Sequence, residues 1–204
     1  WCHGLGASGQ DFVPFMQQLS WYRSGAVRVV LPHAPVRPIT INQGAAMRAW
    51  FDVHGLTVSA LQDEAGIQRS CQQLLRLMDR EVALGVPAER MIVGGFSQGG
   101  MMALHAGLRY AHCLAGLICL SGALLYPERV AAETQAQNQH TPVFVGHGVY
   151  DDVLPHELGQ RAAQRLSQCS HPVAWHDYAM PHSVCEQEIR DVDAWLGLRL
   201  PALC

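Results

Sequence analysis

Short apolar runs alternate with amphipathic segments along this whole chain, and that alternation constrains its fold more than any other feature. Candidate strands lie at 27–31, 90–94, 114–120, 142–146 and 173–178. Their Val, Ile and Leu content without polar alternation suits strands covered on both faces. Between the first and second runs a helix is expected over about 63–84, where Ile67, Cys71, Leu74, Leu75, Met78 and Val82 recur at three- and four-residue steps. Gly85 and Pro87 stop it. Further helices are expected at about 11–19, 98–110, 157–167 and 183–198, the last with Ile189, Val192, Trp195 and Leu196 on one side. Strands alternating with helices in this way give a mostly parallel sheet with helices on both faces.

At 204 residues the chain can bury a real core. It shows no internal repeat or composition break, so a single domain over 1–204 is expected. Hydrophobic residues make up 49% and charged residues 15%, which excludes a disordered chain. The formal charge of −3 implies no basic surface and argues against a nucleic-acid partner. The strongly apolar stretch 114–120 is about a third of a membrane span, so no transmembrane segment is expected. Seven cysteines without a C-x-x-C pair argue against a disulfide framework or structural zinc and for a reducing, cytoplasmic setting. Eleven histidines without H-E-x-x-H spacing point to no metal site. The last four residues, Pro201 to Cys204, are no prenylation box, because the cysteine is terminal.

In an open α/β sheet, chemistry sits just beyond the carboxyl ends of the strands. Gly95-Phe96-Ser97-Gln98-Gly99 reads G-x-S-x-G between an expected strand and an expected helix, the context of a nucleophile elbow. A serine forced into so tight a turn needs small neighbours, and its hydroxyl stands at a helix N-terminus, where negative charge is favoured. The plainer alternative is a glycine-rich turn whose serine caps the helix. A nucleotide-binding loop is a weaker rival, since neither G-x-x-x-x-G-K-[ST] nor G-x-G-x-x-G with a following acidic residue is present.

Downstream of Ser97, Asp151 and Asp152 follow a strand end, while Asp177 lies inside the next strand. His182 stands in a loop just before the final helix, where a general base can reach back to Ser97. His171 and His176 are the alternatives, one before a strand and one within it. The glycine-rich stretch 1–9 suits the second half of an oxyanion hole.

H-G-L-G-A-S-G-Q-D-F from His3, P-H-A-P-x-R-P-I-T from Pro32, M-R-A-W-F-D from Met47, G-F-S-Q-G-G-M-M-A-L from Gly95, H-G-x-Y-D-D-V-L-P from His147 and M-P-H-S-V from Met180 together resemble the phospholipase/carboxylesterase family of the α/β-hydrolase superfamily. Bacterial carboxylesterases and eukaryotic acyl-protein thioesterases belong to it, and the likeness runs over nearly the whole chain. It implies Ser97 as nucleophile, Asp151 (the fifth position of H-G-x-x-D) as acid and His182 as base. The backbone N–H groups of Leu5 and Gln98 would hold the oxyanion, and Asp152 would stabilise its loop. No metal or organic cofactor is implied, and a weak homodimer is compatible with the family. Family members carry further chain before H-G-L-G, so the fold is expected to lack one or more N-terminal strands here, with natural sequence upstream of Trp1.

The expected activity is that of a serine carboxylesterase acting through an acyl-enzyme. Only 123–141 separates Gly122 from the next strand, too little for a helical cap, so an open site for short- to medium-chain esters, or thioesters, is expected. The segment 32–56 borders the site by resemblance, with Trp50, Phe51 and Leu56 as candidate wall residues. Burial in the core is the competing reading for Trp50 and Phe51. The rival functions are a long-acyl thioesterase or lysophospholipase with a channel under that segment, and a non-catalytic binding module on the same fold. An amidase shares the triad. A dienelactone hydrolase would carry cysteine in place of Ser97.

Overall fold

The computed structural model describes residues 1–25, 27–55 and 63–200. In chain order the helices are α1 (Val13–Gln18), α2 (Ser20–Arg23), α3 (Glu64–Ala83), α4 (Gln98–Leu108), α5 (Val130–Glu133), α6 (His156–Gln168) and α7 (Glu186–Arg199). The strands are β1 (Val36–Ile39), β2 (Ala45–Arg48), β3 (Ile92–Phe96), β4 (Gly116–Leu120), β5 (Val143–Gly148) and β6 (Val173–Tyr178). β3, β4, β5 and β6 are neighbours in that order, all parallel, and β1 and β2 form an antiparallel hairpin.

The apolar runs behave as two-sided strands. Every residue of β4 is buried. Leu117, Cys119, Val143 and Val145 join one core with α3, α4 and α6, while Ile118, Leu120 and Phe144 join a second with Phe15 of α1 and Val192, Trp195 and Leu196 of α7. The period-two pleat sends successive side chains to opposite layers, which is why no polar alternation is written into these segments.

α3 follows its stripe: Ile67, Cys71, Leu74 and Met78 are buried, and Leu75 and Val82 pack at its margin. Each such aliphatic side chain contributes roughly 1.5–3 kcal/mol on burial. Asp63 caps the start by accepting from the Gly66 N–H (2.9 Å). At the other end Gly85 takes φ +93°, with Gly85 N–H donating to Val82 O (2.9 Å) and Val86 N–H to Glu81 O (3.0 Å). Those two bonds close a Schellman motif, so the glycine ends the helix by its handedness.

Three expectations change. The run 27–31 forms no regular strand among the described residues. The backbone of Trp1 and Cys2 lies between it and β3: the Trp1 ammonium donates to Val30 O (2.7 Å), Cys2 N–H to Gly94 O (2.8 Å) and Phe96 N–H to Cys2 O (3.1 Å). Among the described residues this bond to Val30 is one isolated contact and no ladder includes the run. Beyond it the same two walls border an open cleft of about 670 Å³ with Leu74, Met78, Val192 and Leu196 among its apolar lining. Second, the elbow strand begins at Ile92, because 88–90 form a 3₁₀ turn. Third, the segment 32–56 contains the β1–β2 hairpin. Its turn places Gln43 (φ 55°) and Gly44 (φ 80°) in left-handed conformations.

Between β4 and β5 the chain carries α5, four residues long, and two 3₁₀ turns, and no cap is built from it. No helix among the described residues is long and apolar enough to cross a membrane.

Candidate active site

Ser97 sits between β3 and α4 with φ 55° and ψ −125°, a conformation L residues rarely adopt. Its N–H donates to Leu120 O (2.8 Å) at the end of β4, and its carbonyl accepts from Met101 N–H (3.1 Å) in the first turn of α4. The strain is held from both sides. A Cβ at Gly99 would stand 2.1 Å from Cys2 O and 2.5 Å from His3 O, so only glycine lets α4 approach the 1–9 loop this closely.

β5 and β6 deliver the other two groups. Val149 N–H donates to Tyr178 O (2.8 Å) and Tyr150 N–H to Met180 O (3.1 Å), which joins the loops after the two strands. His182 Nε2 then lies 2.9 Å from Ser97 Oγ, and His182 Nδ1 lies 2.6 Å from Asp151 Oδ2. A carboxylate only accepts, so Nδ1 carries the proton and Nε2 offers its lone pair to the Ser97 hydroxyl. The His182 ring packs on Phe96, with centroids 4.8 Å apart. The Asp151 side chain is fully buried, and its Oδ1 accepts from the N–H groups of Val153 (2.9 Å) and Leu154 (2.8 Å).

The 1–9 loop is built on two side chains. His3 Nε2 accepts from Ala34 N–H (3.0 Å), which leaves Nδ1 to donate to Gly4 O (2.7 Å). Burial holds this imidazole below its ordinary pKa and so keeps it neutral. Trp50 donates its indole N–H to His3 O (2.9 Å), and Gly6 N–H donates to Arg48 O (2.8 Å). The loop lies against the serine: a Cβ at Gly4 would be 3.4 Å from Ser97 Cβ. Among the described residues no backbone bond engages Leu5 N–H. Gln98 N–H opens α4, where the first-turn donors lack helical partners.

Ser97, His182 and Asp151 therefore form one hydrogen-bonded chain, Gln98 follows the serine at the start of α4, and Leu5 lies in the 1–9 loop next to Gly4. His171 is buried against Thr141 O (3.2 Å), and His176 stacks on Phe144, so neither alternative base reaches the serine. Asp152 is exposed and makes no hydrogen bond or ion pair among the described residues, so the loop-stabilising bonds belong to Asp151 itself. Trp50 and Phe51 are fully buried and line no groove. Trp50 instead braces the 1–9 loop, and the Gln98 side chain reaches Trp50 N–H (2.7 Å) and Phe51 O (2.9 Å). Leu56 lies outside the described residues. The bracing by His3 and Trp50 was invisible in the sequence, since nothing local signals a bond spanning 47 residues.

The family model described as Phospholipase/Carboxylesterase matches residues 1–199. The chain belongs to the phospholipase/carboxylesterase family. Acyl-protein thioesterase 1 of Neurospora crassa is 37% identical over 98% of this chain and 85% of its own length. Among solved structures, Arabidopsis thaliana SOBER1 superposes with a TM-score of 0.92 at 30% identity, covering 98% of this chain and 97% of its own. Zea mays acyl-protein thioesterase 2 gives 0.79 at 28% identity, covering 98% and 92%. This family membership makes the protein a hydrolase of esters or thioesters.

Proposed function

We propose that the protein is a serine hydrolase that cleaves short- to medium-chain carboxylic esters and thioesters through an acyl-enzyme. The observation that carries the reading is the continuous chain Ser97 Oγ to His182 Nε2 (2.9 Å) and His182 Nδ1 to Asp151 Oδ2 (2.6 Å). Ser97 Oγ attacks the substrate carbonyl while its proton passes to His182 Nε2. Asp151 fixes the tautomer and stabilises the imidazolium. The tetrahedral oxyanion faces the N–H groups of Leu5 and Gln98, each such donor being worth about 10²–10³ in rate. Collapse of the tetrahedral intermediate expels the alcohol or thiol, which takes the proton from Nε2. Water then attacks the acyl-enzyme by the same route and releases the acid.

The short connection between β4 and β5 supports an uncapped site. Val149, Tyr150 and Val153, exposed on the loop that carries Asp151, offer an apolar margin for an acyl chain. The name of the Neurospora crassa relative favours a second reading, an acyl-protein thioesterase, here taken with a channel for a long acyl chain. A series of soluble acyl esters and thioesters decides between them. The first reading expects kcat/KM to rise from acetyl to about hexanoyl and then level, since each buried methylene adds at most ~0.8 kcal/mol and an open groove returns less. A steady rise through palmitoyl supports the second. Ser97→Ala should abolish both hydrolysis and fluorophosphonate labelling, and retention of either would overturn the assignment of the nucleophile.

A further inference from the structure

His147, the first residue of H-G-x-Y-D, is fully buried at the end of β5 and approaches the same Asp151 oxygen, Oδ2, as His182. Its Nε2 lies 2.9 Å from Leu154 O and 3.2 Å from Asp151 Oδ2. A carbonyl can only accept, so Nε2 carries the proton and aims it at Leu154, with the positive end of the N–H dipole beside the carboxylate oxygen that also faces His182. Leu154 N–H in turn donates to Asp151 Oδ1 (2.8 Å). The ring thus grips Asp151 twice, once through Leu154 and once across space at Oδ2.

The other side of the ring is sealed. Nδ1 is buried without a hydrogen-bond partner among the described residues, and a Cβ at Gly159 of α6 would stand 2.3 Å from it. A proton on Nδ1 would be buried against helix backbone with nothing to accept it, which holds the ring neutral with its proton on Nε2. The ionisable groups facing the ring are Asp151 on its own loop, His156 at the start of α6, whose ring is 6.0 Å away, and His182 before α7. Burial is the main cause lowering the basicity of His147. A second imidazolium beside Asp151 would compete with His182 for the same carboxylate oxygen, and this environment prevents it.

We infer that His147 is a positioning residue: its Nε2–H and its enforced neutrality hold the Asp151 carboxylate in the rotamer that orients His182, a role resting on the triad proposed above. An ordinary core histidine would need only to fill space. This one faces an acid whose other oxygen is already committed to two backbone N–H groups, and it closes the ring His147–Leu154–Asp151.

The test compares native protein, His147→Leu, which keeps bulk without a donor, and His147→Gln, whose amide restores a neutral donor near Nε2. His147→Leu should lose about 10- to 100-fold in kcat on a butyryl ester with KM unchanged, as expected when a reacting group is misplaced by a fraction of an ångström. His147→Gln should recover to within about threefold of native. Equal kcat in native and Leu forms, or equal losses in Leu and Gln forms, overturns the inference. Ser97→Ala run alongside separates this outcome from failure of the triad reading, since loss of activity there with none at His147→Leu rejects the positioning role alone. A measurement that needs no variant is the ¹⁵N spectrum of the native imidazoles at pH 7. It should show His147 neutral with its proton on Nε2, and a proton on Nδ1, or an imidazolium, overturns the inference even if the Leu form does not fold.

Discussion

Trp50 donates its indole N–H to the carbonyl of His3 across 2.9 Å, joining the end of the segment after β2 to the loop that carries Leu5. Both partners are fully buried, so removing the donor leaves a carbonyl unpaired, at a cost of about 1–3 kcal/mol. Trp50→Phe should therefore lower Tm by several degrees. If the 1–9 loop supplies an oxyanion donor, kcat should also fall, by about tenfold, with little change in KM. Steady-state kinetics and a thermal melt on the same preparation check both. A lowered Tm with native kcat would separate the brace from the chemistry.

The two adjacent aspartates give a sharper contrast. Asp151 is buried and bonded to His182, Val153 and Leu154, whereas Asp152 points to solvent. Asp151→Asn should cost up to ~10⁴ in kcat, because an amide no longer fixes the imidazole tautomer. Asp152→Asn should stay within about twofold of native. Parallel kcat measurements decide it, and a larger loss at Asp152 would place the acid one residue downstream.

The reach of the sequence differed from element to element for physical reasons. The stripe of α3, the all-apolar β4 and the elbow pentapeptide are local signals, and the structure follows them closely. The run 27–31 has the composition of a strand, yet strand formation depends on a neighbour, which composition does not encode. Trp50 and Phe51 could be read as groove or as core. What decided for core was a set of bonds to His3 and Gln98, partners distant along the chain. The proposed triad was legible because each of its members follows a strand end in a parallel sheet. The second histidine on Asp151 was masked by the bland appearance of a lone histidine within an apolar strand.

Glu188, the third residue of α7, is fully buried with neither carboxyl oxygen hydrogen-bonded among the described residues, and burial pushes its pKa up to about 8. The unfolded chain ionises it near 4.5, so between about pH 4.5 and 8 the native state binds the extra proton and stability falls as pH rises. Above about 8 the loss levels off. Glu188→Gln should raise Tm by several degrees at pH 8, with the gap closing toward pH 5. A pH-independent gap would mean that the carboxyl is not held protonated.

His105 in α4 acts at the other end of the scale. Both ring nitrogens are buried without a hydrogen bond among the described residues, and burial, reinforced by Arg109 and Arg129, lowers its pKa to about 3. The unfolded chain takes up a proton below about 6.5 and the native state does not, so stability falls as pH drops through that value toward 3. His105→Leu should lessen the fall in Tm between pH 7 and 5 while leaving the melt at pH 7 within a few degrees of native. An unchanged acid slope would assign the loss to His3, His147 and His171, which burial also holds neutral.

Gln98 turns two tasks into one residue. Its backbone N–H opens α4 beside Ser97, the proposed nucleophile, while its side chain accepts from Trp50 N–H and donates to Phe51 O. A mutational library that randomised position 98 to alter substrate choice would therefore unfasten the scaffold before it touched selectivity. At positions 149, 150 and 153 the framework bonds come from the backbone N–H groups, while the side chains are exposed. Redesign of this surface is open where only the backbone is committed and the side chains face solvent, and closed where a side chain holds the framework together.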